Sequence, residues 1–143
     1  MSESHLWGPM KSELHFVRSL WLALVAVMLV VGLAFASESG WEKKVPDADK
    51  TRANPAANDP DAVAAGGKLY TEKCAKCHGE TAEGKGHHPS LRTQAVQEAT
   101  PGELEWLLQH GNRWHGMPAF GSMSDTQRWQ IVSYIKSLPV QGK

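Results

Sequence analysis

The chain has 143 residues with 15 Lys and Arg against 15 Asp and Glu, so no bulk charge points to nucleic acid. That length suits one domain with a targeting or anchoring piece attached. With only two cysteines, a disulfide-rich scaffold is excluded.

Residues 19–36, SLWLALVAVMLVVGLAFA, contain no charge. Two readings of this run stay open. As a membrane anchor, Leu20 to Ala36 just reaches the shortest apolar length that spans a bilayer, behind Lys11 and Arg18, with Trp21 and Trp41 placed as interfacial aromatics. As a signal peptide, it ends in Ala34-Phe35-Ala36, an A-x-A cleavage pattern followed by polar Ser37-Glu38-Ser39. Residues 1–36 are thus expected to be a signal peptide or N-terminal anchor. Either sends the remainder out of the cytoplasm, to the periplasmic side of the inner membrane. Residues 37–59 are rich in Pro, Asn, Asp and Lys, and are expected to be an extended polar linker.

Asp59-Pro60 reads as a helix start, with Asp59 as N-cap and Pro60 in the first turn. Val63, Gly66, Gly67 and Tyr70 then fall on one helical face, and two glycines there imply close approach of another backbone. This helix runs into Cys74-Ala75-Lys76-Cys77-His78. Residues 79–99 read as loop. Thr100-Pro101-Gly102-Glu103 is a capping box that opens a helix carrying Leu104, Leu107 and Leu108, closed near Gly111. Ser124-Asp125-Thr126-Gln127 is a second box, and the helix it starts places Ile131, Tyr134, Ile135 and Leu138 at i, i+3, i+4 and i+7 before Pro139. No strand-like alternation competes. The expected fold class is all-α: three main helices with long loops over residues 60–143. Loops that long in so small a unit call for something between them that completes the core.

The C-x-x-C-H motif offers that something. A disulfide across three helical residues is strained and leaves His78 without a role. A thioredoxin-like pair expects a strand beside it. Zinc could take Cys74, Cys77 and a histidine from His78, His87 or His88, but the second ligand pair is poor. Attachment of a c-type haem uses all three residues: each thiol adds to one vinyl group and His78 faces the iron. For the opposite axial position, Met117 lies between Gly116 and Pro118 in a loop. His115 is its chief rival, and Met123, between two serines, reads as a packing or surface residue.

Together CAKCH, the downstream Pro89-Ser90-Leu91 and Gly116-Met117-Pro118-Ala119 resemble a class I, single-haem cytochrome c of the exported bacterial type. The resemblance covers Pro60 to Pro139. It implies that the first and last helices cross at the glycine–aromatic contact. It further implies that the Pro89 carbonyl accepts a hydrogen bond from His78, and that Leu91 packs on the haem. Departures are His87-His88 before the proline and Trp114-His115 before Gly-Met. The implied cofactor is one covalent haem c, held by Cys74, Cys77, His78, Pro89, Leu91 and Met117, with His78 and Met117 as the metal ligands. The expected function is one-electron transfer, not enzyme catalysis, between redox partners such as a membrane oxidoreductase complex or terminal oxidase. A haem gas sensor or peroxidase-like enzyme is the alternative if Met117 does not bind, and a zinc-binding structural module is a third class. Residues 61–143 carry nine Lys or Arg against eight Asp or Glu, so a strong steering field is not expected. Lys73, Lys76 and Lys85 read first as solvated surface charge, with a local basic patch as the alternative. Arg113 and Trp114 read first as surface or packing residues, with a haem propionate as the alternative partner.

Overall fold

The computed structural model describes residues 21–22 and 40–141 and falls into two units, Met1–Ser39 and Gly40–Lys143. Of the first unit only Trp21 and Leu22 are described, both helical and exposed. Most of the expected signal or anchor therefore lies outside the described residues. Among the described residues, no helix is long and apolar enough to cross a membrane.

The second unit contains helices α1 (Asp47–Lys50), α2 (Pro60–Lys73), α3 (Ala75–His78), α4 (Gln94–Glu98), α5 (Pro101–His110) and α6 (Asp125–Ser137). Single 3-10 turns lie at Glu42–Lys44 and Arg113–His115. Among the described residues there is no strand, only two isolated bridges, Lys85 to His88 and Asn112 to Met117. The helix starts follow the local chemistry. Asp59 caps α2 through the Asp61 amide, and Thr100 and Ser124 form complete reciprocal boxes with Glu103 and Gln127.

Helices α2 and α6 form the main packing pair. The buried face of α2 is Ala62, Gly66 and Tyr70. Gly66 lets the α6 backbone approach so closely that a Cβ there would stand 1.9 Å from the Gln130 carbonyl oxygen. One turn on, the Tyr70 and Tyr134 rings meet with centroids 5.1 Å apart. On α6 the buried set is wider than the aliphatic stripe implied. It includes Arg128, Trp129, Ile131, Val132, Ser133 and Ile135. Tyr134 and Leu138 are only partly buried and pack on the smaller cluster around Tyr70 and Cys74.

Two expectations need correction. First, the stretch from Gly40 to Asp59 is not an extended linker. Trp41 and Val45 are buried in the cluster built by Leu104, Leu108, Trp129 and Ile131. Buried Asn54 donates to the Trp129 carbonyl at 3.2 Å and to Ser133 Oγ at 2.8 Å, and Ser133 Oγ donates to the Ala56 carbonyl at 3.0 Å. A polar segment can join a core when its side chains hydrogen-bond to main chain that would otherwise be buried unpaired. Second, residues 79–99 are not all loop: Thr93 accepts from the Val96 amide and starts α4.

An ion network lies beneath these contacts. Glu105 is fully buried. It accepts from Arg128 Nε at 2.7 Å and from Arg52 Nη1 at 2.9 Å, while Arg128 also donates to Asp125 and to the Met123 carbonyl. Arg52 in turn lies 5.2 Å over the Trp129 ring. Both carboxylate oxygens of Glu105 are thereby satisfied, the condition for burying that charge without a large penalty.

Candidate haem site

The motif sits where α2 ends and α3 begins. Cys74 is the C-cap of α2 and the N-cap of α3, with its amide bonded to the Tyr70 carbonyl at 2.8 Å. The Cys77 and His78 amides both donate to the Cys74 carbonyl, at 3.0 and 2.9 Å. This single turn places the two thiols and the imidazole along a short helical arc. Both cysteines are free; Cys74 is buried and Cys77 partly so. Tyr70 secures the end of the arc, its fully buried hydroxyl donating to the Gly79 carbonyl at 2.7 Å. Burial pushes the Tyr70 phenol up, with Cys74, Tyr134 and Glu83 adding to the effect, so it remains a donor at any ordinary pH.

After His78 the chain folds back. Gly84 makes the turn at φ +89°, and a side chain there would meet the backbone of Ser90 at 2.7 Å. The Leu91 amide and the Ser90 hydroxyl both donate to the Ala82 carbonyl, at 2.9 and 3.1 Å. This return brings the Pro89 carbonyl 2.9 Å from His78 Nδ1. With Nδ1 carrying the proton, that bond fixes the ring and leaves the other nitrogen as the donor for a metal. Leu91 is partly buried against both hydrophobic clusters. His88 lies with its ring 6.3 Å from that of His78, and His87 is 4.1 Å from His88. Desolvation, then the neighbouring His87 and His78, hold His88 below the usual histidine range.

The Met117 loop is closed on itself. Asn112 and Met117 exchange both backbone bonds, at 3.0 and 3.1 Å, and the Phe120 amide returns to the Leu108 carbonyl of α5 at 2.8 Å. Met117 is partly buried against the main cluster, as is Met123. His115 is exposed, its Nδ1 3.2 Å from Asn112 Oδ1 on its own loop. Lys73, Lys76 and Lys85 are exposed and form no salt bridge with a described residue.

These residues fit a c-type haem. The donor set pairs two thiols one helical turn apart with a pre-oriented imidazole. A half-buried fringe of Leu69, Leu91, Leu107, Met117 and Phe120 adds apolar surface for a flat macrocycle. The zinc reading gains nothing: among the described residues no three His, Cys, Asp or Glu side chains group as ligands. Burial, with the Cys77 thiol adding, pushes the Cys74 thiol up to about 11. Missed by sequence reasoning were Tyr70 as the anchor of the motif's end and Gly84 as the turn that delivers Pro89. The signal for Gly84 was a glycine six residues after His78, in a loop that had to reverse.

An all-helical unit with a C-x-x-C-H turn and an oriented histidine defines a small c-type cytochrome domain. The family model described as cytochrome c oxidase, cbb3-type, subunit III matches residues 61–135, and the chain belongs to that family. Its domain is a haem-based electron carrier. A comparison with curated proteins finds no match.

Proposed function

We propose that the unit binds one haem c covalently through Cys74 and Cys77, with His78 and Met117 as axial ligands, and serves as a one-electron carrier of the mono-haem class I type. Bound there, haem supplies reversible one-electron exchange between ferric and ferrous iron. The observation that carries the reading is the 2.9 Å contact of His78 Nδ1 with the Pro89 carbonyl. It holds the imidazole before any metal arrives and raises its donor strength.

Met117 is the better second ligand because its backbone is locked at the base of a closed loop and its side chain packs inward. The ring of His115 is exposed and bonded within the loop. With both side chains bound to iron, no coordination site is left for substrate, which favours a carrier over a sensor or peroxidase. Methionine sulfur also favours the ferrous state and so a high potential. The family's name supports a membrane oxidase as electron-exchange partner. The uncharged run at residues 19–36, as a cleaved signal or a retained anchor, supports a periplasmic location for the domain.

Haem staining after denaturing electrophoresis tests the reading. The matured chain keeps its stain, and the Cys74→Ser, Cys77→Ser double variant loses it. An unstained wild-type chain from a strain that matures other c-type cytochromes overturns it.

A further inference from the structure

We propose that Trp114 and Arg113, at the tip of the Met117 loop, are the docking contact for a partly apolar, carboxylate-bearing protein surface on the electron-exchange partner. The inference rests on the electron-carrier reading and adds where the partner sits and what it offers.

Trp114 is 89% exposed. A lone surface aromatic is ordinary; what distinguishes this one is its place. Among the described residues of the unit Gly40–Lys143, the only other exposed large apolar residue is Val140, at 48%, near the C-terminus. Nor is Trp114 on a frayed segment. The His115 amide donates to the Asn112 carbonyl at 2.9 Å and the Gly116 amide to the Arg113 carbonyl at 3.1 Å, above the Asn112–Met117 pair that closes the loop. One closed turn therefore packs Met117 on the core and presents the indole outward. A partner seated on Trp114 meets the domain three residues from the proposed iron ligand.

Charge names the partner's chemistry. Arg113 is exposed and makes no side-chain hydrogen bond or ion pair with a described residue. From Trp106 to Ser124 the chain holds no Asp or Glu, while His110, Arg113 and His115 lie within it. An indole beside an unpaired guanidinium in an acid-free stretch is complementary to an apolar pocket edged by carboxylates. Trp and Arg are also the residue types that most often carry binding energy in protein interfaces. Electron-transfer contacts are small, so one such anchor suffices. A near-neutral domain gains little from long-range steering, which leaves short-range contact to select the partner. A lipid surface fits less well, since stable membrane attachment needs more than one weak signal.

Voltammetry of the haem-loaded full chain tests this on gold coated with a mixed carboxylate- and methyl-terminated alkanethiol layer. A hydroxyl-terminated layer and phosphatidylglycerol vesicles serve as comparisons. The wild type adsorbs on the mixed layer and shows a surface-confined redox signal. Trp114→Ala weakens adsorption about tenfold or more, the loss typical of a central anchor. Arg113→Gln weakens it a few-fold, with a smaller salt dependence than the wild type. Both variants keep the wild-type visible spectrum and solution potential.

Equal adsorption of wild type and Trp114→Ala overturns the inference. So does a changed spectrum or potential in Trp114→Ala, which assigns the indole to the bound group, and so does Trp114-dependent binding to the vesicles, which assigns it to a membrane. A matured chain with no redox signal in solution defeats the electron-carrier reading itself. A normal solution signal without Trp114-dependent adsorption defeats only the docking assignment.

Discussion

Replacing Gly66 with alanine tests the helix crossing that supports the site. A Cβ at this position would lie 1.9 Å from the Gln130 carbonyl oxygen, 2.5 Å from its carbon and 3.0 Å from Tyr134 Cβ. Non-bonded heavy atoms prefer separations of about 3.5 Å or more, and the nearest obstacles are helix backbone with no rotamer to change. Helix propensity favours the alanine by about 1 kcal/mol. Overpacking a fixed contact costs about 1–3 kcal/mol, and more when backbone must separate. At this degree of overlap the clash wins, with a net loss of about 2 kcal/mol. For a unit of this size that lowers Tm by roughly 8–16 °C, at about 4–8 °C per kcal/mol. Gly67→Ala is the internal control. Its Cβ would meet only Tyr134 ring carbons at 3.3 Å, which can swing aside, so its Tm stays level or rises by a few degrees. Thermal melts of the two haem-loaded variants by circular dichroism give the comparison. A Gly66→Ala protein as stable as wild type, or one less affected than Gly67→Ala, refutes the packing of α2 on α6.

Three other outcomes are expected. Met117→Ala keeps covalent haem but has a lower midpoint potential and binds carbon monoxide in the ferrous state; an unchanged potential with no binding assigns the ligand elsewhere. Asn54→Ala, which removes the bonds donated to Ser133 Oγ and the Trp129 carbonyl, costs about 1–3 kcal/mol in a denaturant titration. A value near zero would return residues 40–59 to the status of a linker. Glu105→Ala removes the buried carboxylate that Arg128 and Arg52 share, leaving Arg128 only Asp125 and the Met123 carbonyl, and costs about 3 kcal/mol; the Glu105→Leu, Arg128→Met double variant recovers most of the loss. Failure of the double variant to recover shows that the network does more than neutralise its own charges.

The helix boundaries were legible because they are local. Asp59, Thr100 and Ser124 act through bonds to amides two or three residues ahead, so short stretches of sequence contain the whole interaction. Gly66 was legible for a different reason: a glycine on an apolar helical face has few explanations besides close approach. The Arg52–Glu105–Arg128 network was not legible, because each charge alone looks like surface and only the fold brings residues 52, 105 and 128 together. One signal was present. Arg128 occupies the same stripe as Ile131, Val132 and Ile135, at i, i+3, i+4 and i+7, an inward position where a charge requires a buried partner. The packing of residues 40–59 left less trace, since Asn54 and Arg52 act across more than fifty residues of sequence.

At the candidate site, the C-x-x-C-H turn pointed to haem attachment, and the resemblance placed Pro89 opposite His78. The structure brings those two within hydrogen-bond distance. The return of the chain through Gly84 and Ala82 that makes the contact possible depends on backbone bonds that no residue pattern advertises.

The central claim is that Cys74 and Cys77 bind one haem covalently. Intact-mass measurement of the matured protein in denaturant tests it most directly, and also reads whether residues 1–36 remain. The account predicts a mass equal to the polypeptide plus a single haem, reverting to the polypeptide alone when both cysteines are replaced by serine. A matured wild-type chain that is fully folded before denaturation, yet has the mass of bare polypeptide, would contradict it.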